Sequence, residues 1–411
     1  MRMTNFRVSH VAAACALIST SAFAENPTLT NPAISAVLDG YYQNTERPMA
    51  ERVEGFGLGH TELALSANID DMFYGKLTAV VEMHEGETEL GIEEAFIQTL
   101  AMPGGFSIRA GRFLSDVGYL NNQHVHTDAF SDRPAVYRAF LGSHYFDDGV
   151  RLNYVAPTDL YWTMGVESFK GDSMRAAAGG AHEEHGEHDE HDEHDEVHAE
   201  RDYKDIGIYT AYTKIGGDIG HGSWQAGLSY MRNENGRMVE GEHEEHAGAE
   251  AGHEGHNHSA TFTGENTYIA DFVYKWAPDG NYKYQHLTIS GEYFKVTDFA
   301  PIEEEHHEEH SAGSVDDMQG WYLSSVYQFS PNWSAGVRYG QTDVQELHGD
   351  HFHPEKLKEA EVSLAWHHSH FSTVRLQYTN QQGTNYFGIE DDNVITLQYV
   401  MTLGAHGAHQ F

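Results

Sequence analysis

The sequence predicts an all-β protein: a transmembrane antiparallel β-barrel of about sixteen strands with no plug domain. Beyond residue 33, segments of about ten residues alternate between apolar and polar positions, as tilted membrane strands do. The connections alternate in length, with eight long loops and seven short turns. Bacterial outer-membrane barrels are wired in this way, with short periplasmic turns and longer external loops. A soluble β-sandwich or propeller, the alternative, does not explain that alternation.

The first 24 residues have the features of a secretory signal peptide. Arg2 and Arg7 precede a short apolar core, and Ala22-Phe23-Ala24 fits a small-residue cleavage site. We therefore expect a signal peptide over 1–24 and an outer-membrane barrel over 25–411. The one cysteine lies in the signal segment, so we expect neither disulfides nor thiolate metal ligands in the mature chain.

The predicted strands form hairpins joined by short turns such as Asp70-Asp71 and Ser330-Pro331-Asn332. Along the chain they cover 34–42, 63–69, 73–83, 93–100, 106–113, 149–155, 160–166, 206–213, 223–231, 267–276, 284–294, 320–329, 333–340, 359–366, 372–378 and 393–403. The chain ends on Phe411, in phase with the apolar face of the last strand. A terminal aromatic residue in that phase is typical of barrels that the insertion machinery recognises, so this machinery is an expected partner.

The charge of the chain restricts its partners. The formal net charge is −39, and loss of Arg2 and Arg7 with the signal would take it to −41. A negative charge of this size disfavours binding to nucleic acid or to anionic surfaces, and it attracts cations. Aromatic residues make up 12% of the chain, including 23 tyrosines, which suits the aromatic girdles of a barrel in outer-membrane lipid.

Four of the predicted long loops carry inserts rich in histidine and carboxylates: 181–200, 240–258, 303–310 and 348–353. They hold 17 of the 30 histidines. Imidazole and carboxylate together bind borderline divalent metals, zinc first, with nickel, copper and cobalt as alternatives. Histidines three apart in an extended chain are separated by ~10 Å, so we expect many weak Zn²⁺ sites. Solvated loops with incidental histidines are the alternative. The candidate ligands are His182, His185, His188, His191, His194, His198, His243, His246, His253, His256, His258, His306, His307, His310, His348, His351 and His353.

A second candidate metal site is predicted inside the barrel. If Leu63 and Leu65 face lipid, the neighbouring phase faces the lumen, and the Asp70-Asp71 turn brings residue 60 opposite 81–82. The predicted upper-lumen set is His60, Glu62, Glu82, His84 and Glu94. An ordinary polar lining is the alternative.

The third long loop, 114–147, is predicted to fold into the barrel, as the third external loop of general porins does. Its His124, His126 and Asp128 are close enough along the chain to share an ion. A loop packed against the wall with no ligand role is the alternative.

Several arginines are predicted to line the pore: Arg109, Arg133, Arg138, Arg151, Arg338 and Arg375. They either pair with carboxylates and stiffen the barrel or form an anion path. No combination of nucleophile, base and orienting carboxylate stands out, so the sequence predicts no enzyme.

Residues 92–157 (IEEAFIQTL, GGFSIRAGRF, SDRPAVYRAF and DDGVRLNYVAP) resemble the phosphate-selective porin O and P group. More closely, 31–43, 58–79 and the GAHGAHQF end resemble a proteobacterial outer-membrane family often labelled zinc-regulated or TonB-dependent outer-membrane receptor. The resemblance implies a sixteen-stranded porin fold in the bacterial outer membrane, and porins often associate as homotrimers. Phosphate selectivity is not expected, because the mature chain would have 22 Lys and Arg against 63 Asp and Glu.

Together these observations predict a porin-like channel that collects divalent transition metal, above all zinc, at external loops and favours its entry to the periplasm. Two alternatives stay open. One is a TonB-dependent zinc receptor, although a first strand near residue 34 leaves no room for a plug. The other is a surface protein that binds or sequesters metal without transporting it.

Overall fold

The computed structural model describes residues 32–47, 49–84, 87–176, 203–237, 264–299, 317–348, 351–383 and 393–404. The predicted signal peptide and the end at 405–411 lie outside the described residues, as do the inserts 181–200, 240–258 and 303–310.

The described residues form strands that are joined in one closed sheet. In chain order they are β1 (Ala33–Gln43), β2 (Gly55–Leu58), β3 (Thr61–Asn68), β4 (Phe73–His84), β5 (Glu87–Thr99), β6 (Phe106–Leu114), β7 (Phe146–Val155), β8 (Tyr161–Phe169), β9 (Ile208–Ile219), β10 (Gly222–Asn233), β11 (Asn266–Trp276), β12 (His286–Thr297), β13 (Met318–Ser330), β14 (Trp333–His348), β15 (His351–Ser369), β16 (Ser372–Gln382) and β17 (Asn393–Gly404). Each pairs antiparallel with its neighbours, and β17 closes the barrel on β1 from Ser35–Gly404 to Gln43–Thr396.

Two of these segments form one barrel strand. Both β2 and β3 pair with β1, with partners Gly40–Leu58 and Val37–Glu62. Gly59 and His60 form the break between them, where a side chain at Gly59 would collide with Asp39 and Arg52. The barrel therefore has sixteen strands, as the sequence predicts.

The strand faces divide between lipid and lumen. On β17, Ile395, Leu397 and Tyr399 are each 46–48% exposed, while Thr396 and Gln398 between them are at most 2% exposed. Apolar side chains on the outside and polar ones within are the pattern of a membrane barrel. No helix among the described residues is long and apolar enough to cross a membrane.

Two hairpins are longer than the sequence pattern indicates. β4 and β5 continue to His84 and Glu87, and β14 and β15 continue to His348 and His351, which pair with each other. Within the insert at 348–353, His348 and His351 thus form the last described pair of this hairpin. Antiparallel pairing satisfies the backbone without an apolar face, so these strands extend beyond the point where the apolar alternation stops.

The segment between β6 and β7, residues 115–145, folds into the barrel as predicted; we call it the inner loop. Its backbone amides reach three distant strands: Gly118 donates to Ser229 Oγ (3.1 Å), Tyr119 to Glu292 Oε2 (2.8 Å) and Ser131 to Gln377 Oε1 (2.8 Å). Its short helix α1 (Ala135–Leu141) packs in an apolar cluster with side chains of β12 and β13. Among the described residues this loop, and no separate plug domain, occupies the interior.

Candidate metal centre in the barrel lumen

The inner loop is held by a buried network of arginines and carboxylates. Arg47, from the loop between β1 and β2, lies 2.9 Å from Asp132 Oδ2 and 3.0 Å from both Glu359 and Glu361 of β15. Arg52 of the same loop lies 2.8 Å from Asp132. Removing one partner of a buried ion pair strongly destabilises the folded protein. The network therefore holds the inner loop against the barrel wall.

All six predicted pore-lining arginines have partners in the structure, and four of them pair with carboxylates. Arg138 lies 2.6 Å from Glu359, Arg151 2.5 Å from Glu167, and Arg338 forms an ion pair with Glu361. Arg133 lies 2.9 Å from Asp128, and Arg375 binds Gln398 and two loop carbonyl oxygens. Arg109 binds Gln98 and stacks on Phe96. The geometry therefore favours a stiffened wall over an anion path.

Next to this network lies a cluster of four histidines and three glutamates, here called the lumen cluster. The barrel wall supplies four members, and the inner loop supplies three. The members are His60, Glu62, Glu93, Glu94, His124, His126 and His144.

Glu93 lies at the centre of the lumen cluster and contacts three histidines. Its Oε1 lies 3.1 Å from His60 Nε2 and 2.8 Å from His144 Nε2. Its Oε2 lies 3.0 Å from His124 Nδ1. With only 2% of its surface exposed, this carboxylate depends on these neighbours to offset its desolvation.

Glu62 joins the same histidines from β3. Its Oε1 lies 2.7 Å from His126 Nδ1 and 3.5 Å from His60 Nε2, and its Oε2 lies 3.2 Å from His124 Nδ1. His124 Nδ1 and His126 Nδ1 therefore converge on one carboxylate. These nitrogen and oxygen atoms lie close enough together for one metal ion to contact all of them.

Glu94 and Lys76 contact the other side of the His124 ring. His124 Nε2 lies 3.0 Å from Glu94 Oε2 and 2.8 Å from Lys76 Nζ, and Lys76 also pairs with Glu94. A metal-binding histidine usually donates its second N–H to a carboxylate, which fixes the ring and its tautomer. Glu94 lies where such an acceptor would be if His124 Nδ1 bound a metal ion.

The carboxylates also control the charge of His124. Burial disfavours the imidazolium, but Glu62 and Glu93 outweigh it and raise the pKa of His124 well above its usual value. Without metal, a protonated His124 balances two carboxylates. A bound cation has to displace that proton.

A β-bulge explains why two consecutive glutamates point into the lumen. Thr78 pairs with Glu94 and Ala79 with Ile92, so Glu93 is an extra residue in β5 with no partner in β4. Strict alternation would send Glu93 to lipid, whereas the bulge re-aims its side chain inward. Strict alternation along β5 therefore does not predict the inward position of Glu93.

The structure brings together five of the eight predicted lumen residues: His60, Glu62, Glu94, His124 and His126. Asp128 does not join them, because it lies beside Arg133. Glu82 and His84 lie in β4, and their side chains are outside the described part of the structure. The sequence analysis also missed Lys76 and His144; His144 comes from the far end of the inner loop, and no spacing rule connects it to the other members.

A cavity of about 1450 Å³ lies on the short-turn side of the inner loop. Glu62, Glu94, His124 and His126 line one end of it, and turn residues such as Asn332 and Phe371 line the other. Among the described residues, His60, Glu93 and His144 do not line this cavity. The lumen cluster therefore reaches from the packed interior of the inner loop to a cavity on the short-turn side of the barrel.

Comparisons with known proteins agree with the fold. No protein-family model matches the chain. An uncharacterised protein of Aquifex aeolicus is 28% identical over 395 residues, which cover 92% of this chain and 74% of that protein.

Similar solved structures are outer-membrane proteins. OmpT of Vibrio cholerae in its trimer form has a TM-score of 0.52 at 9% identity, covering 91% of this chain and 99% of its own. The channel DcaP of Acinetobacter baumannii has a TM-score of 0.51 at 12% identity, covering 91% and 96%. The anion-selective porin of Comamonas acidovorans has a TM-score of 0.50 at 10% identity, covering 91% and 99%.

The sixteen-stranded barrel, its apolar outer surface and its inward-folded loop give the chain the same fold as porins of the bacterial outer membrane. Neither the phosphate-selective group nor the zinc-regulated receptor label gains support from these comparisons.

Proposed function

We propose that this porin admits divalent transition metal ions, zinc foremost, to the periplasm, and that the lumen cluster binds them on the way. One observation carries the proposal: four histidines and three glutamates converge inside the barrel. Burial of so many titratable groups is costly unless protons or a metal balance them.

The chemistry of the donors favours transition metals. Magnesium and calcium prefer all-oxygen sites, whereas the lumen cluster mixes imidazole nitrogens and carboxylate oxygens. Zinc is suited to such sets in a tetrahedral arrangement. Copper and nickel bind the same ligands by the Irving–Williams order, so they are the competitors to test.

In this proposal, an incoming metal ion first binds the external inserts. The four histidine-rich segments and the net charge of −39 raise the local concentration of cations at the outer face. Weak, multiple ligands release an ion as readily as they bind it, as conduction requires. The lumen cluster then takes the ion, and the cavity beside His124 and His126 leads towards the short-turn side.

Proteoliposomes that enclose a fluorescent zinc indicator test the proposal. The intact protein should admit zinc without any energy-coupling partner, and Glu93→Gln should slow zinc entry while potassium conductance in planar bilayers persists. His286→Ala is the matched control, because His286 lines the same cavity outside the lumen cluster.

The outcomes separate the competing functions. Absence of any single-channel conductance would support a protein that sequesters metal without transport. Zinc entry that appears only with the energy-transducing complex would support a TonB-coupled receptor. Equal zinc entry through intact protein and Glu93→Gln would remove the lumen cluster from the route.

We further propose that the chain associates as a homotrimer, since the similar OmpT of Vibrio cholerae is described in a trimer form. Mass measurement of the detergent-solubilised protein, corrected for bound detergent, tests this association.

A further inference from the structure

The two oxygens of the Glu93 carboxylate face two different sets of histidines. Oε1 is directed at His60 and His144, and Oε2 at His124. A carboxylate that serves one ion does not need donors converging on both of its oxygens. This division is typical of a carboxylate that bridges two ions.

Each side of Glu93 has enough donors for an ion of its own. The outer set is His60, His144 and Glu93 Oε1; the inner set is His124, His126 and Glu62. Within each set the donor atoms all lie within 4.8 Å of one another. Three protein ligands with one open position is the usual composition of an exchangeable zinc site, whereas six donors exceed the four that one tetrahedral ion uses.

The separations suit metal ligation on both sides. Ligand atoms at about 2.0 Å from a tetrahedral zinc lie about 3.3 Å from each other. The gaps at Glu93 are 3.1, 2.8 and 3.0 Å, and those from Glu62 to His126 and His124 are 2.7 and 3.2 Å. Small side-chain adjustments would accommodate an ion in each set.

We infer that the lumen cluster binds two divalent transition metal ions at once, in the outer and inner sets, with Glu93 as the shared bridging ligand. This inference rests on the proposed function and specifies its mechanism. Ions in two-metal sites lie ~3.5–4 Å apart. Entry of a second ion into the outer set would repel the first from the inner set towards the cavity, as adjacent ions do in multi-site channels.

The two sets differ in access, which gives the pair a direction. His124, His126 and Glu62 line the cavity on the short-turn side, whereas His60, His144 and Glu93 do not. The inner set is therefore the exit position and the outer set the one filled behind it.

Counting ions tests the inference. The full-length protein in detergent is stripped of metal, loaded with cobalt(II), washed with a mild chelator and assayed by elemental mass spectrometry. The external inserts are unchanged in every variant, so their contribution cancels. His144→Ala should lose one ion per chain relative to intact protein, His126→Ala one, and the double variant two, while His286→Ala loses none.

Equal losses in the two single variants and the double variant would show one shared ion and overturn the inference. No loss in any variant would overturn it too. Folding of each variant is checked by its heat-dependent gel mobility. Paramagnetic resonance adds a second readout once the spectrum of the double variant is subtracted from that of the intact protein: two bridged cobalt ions should couple and weaken the signal per ion, and an uncoupled difference signal would contradict the bridge.

Failure here is distinct from failure of the proposed function. A single shared ion with zinc flux retained in proteoliposomes would remove the two-ion mechanism and leave the metal channel. Absence of zinc flux with two ions bound would leave a two-metal site in a protein that does not transport.

Discussion

Replacement of Glu94 by glutamine tests how the lumen cluster orients its ligands. In the structure Glu94 Oε2 lies 3.0 Å from His124 Nε2 and pairs with Lys76. An amide keeps the size of the side chain but removes its charge. The imidazole then keeps only a neutral, weaker acceptor to hold its orientation, and Lys76 keeps a positive charge 2.8 Å from the same ring.

The expected loss of zinc affinity is large for a residue that does not itself bind the ion in this scheme. Removal of the hydrogen-bond partner of a metal-binding histidine typically weakens metal binding by about 10–100-fold. The uncompensated Lys76 charge places Glu94→Gln towards the upper end, about 100-fold, or roughly 2.8 kcal/mol. The side chain of Lys76 is 21% exposed, so water screens part of its charge. The loss of zinc affinity should therefore stay near the upper end of about 100-fold.

Competition with a chromophoric zinc chelator measures this change. Glu54→Gln is the matched control, because it makes the same chemical change at an exposed position in the loop before β2. Adding Lys76→Gln to Glu94→Gln should recover part of the affinity. An affinity for Glu94→Gln within a factor of two of the control would refute the orienting role of Glu94.

Three further predictions concern pH, stability and the external loops. Because the pKa of His124 lies well above its usual value, zinc displaces a proton at neutral pH, and the apparent affinity of the lumen cluster should rise by about tenfold per pH unit for each proton displaced; titrations at pH 6 to 9 that show no rise above pH 7 would contradict this. Arg47→Ala removes one cation from Asp132, Glu359 and Glu361, each of which keeps a second arginine partner, and should cost about 1.5–3 kcal/mol in the free energy of unfolding, measured by urea denaturation in detergent. Arg112→Ala, which removes an exposed pair with Asp148, should cost at most about 1 kcal/mol in the same assay, and equal losses would contradict the role given to the buried network. Deletion of 181–200 and 240–258 should slow zinc entry at low concentration while leaving the ions bound by the lumen cluster unchanged, and uptake equal to that of the intact protein on scarce zinc would remove the collecting role of these inserts.

The strands could be predicted from the sequence because lipid enforces a simple rule. Every second side chain must be apolar where a strand faces hydrocarbon, as Ile395, Leu397 and Tyr399 illustrate. This alternation is required only for the strand residues that lie within the membrane. The rule therefore does not predict the strand extensions to His84 and His348, where backbone pairing continues after the apolar alternation has stopped.

The lumen cluster could be predicted only in part. Strand phase places Glu62 and Glu94 inside, and the inward fold of the third loop brings His124 and His126 to them. The bulge that turns Glu93 inward depends on pairing with β4, which a pattern within one strand does not reveal. His144 joins through the three-dimensional course of the inner loop.

The arginine network shows the same limit. Four of the predicted pore-lining arginines lie on strands and were recognised by phase, but Arg47 and Arg52 come from a segment predicted as an external loop. Their contacts with Asp132 join two loops that are distant in sequence. Such loop-to-loop pairing is a tertiary property with no local signature.

Metal uptake by whole cells tests the central claim most directly. Cells with and without the protein are grown under zinc limitation, and zinc entry is measured alongside nickel and copper. Faster zinc entry in cells that make the intact protein, reduced by Glu93→Gln but not by His286→Ala, is the predicted result. Zinc entry that is the same with and without the protein would contradict the proposed role of this barrel in metal uptake.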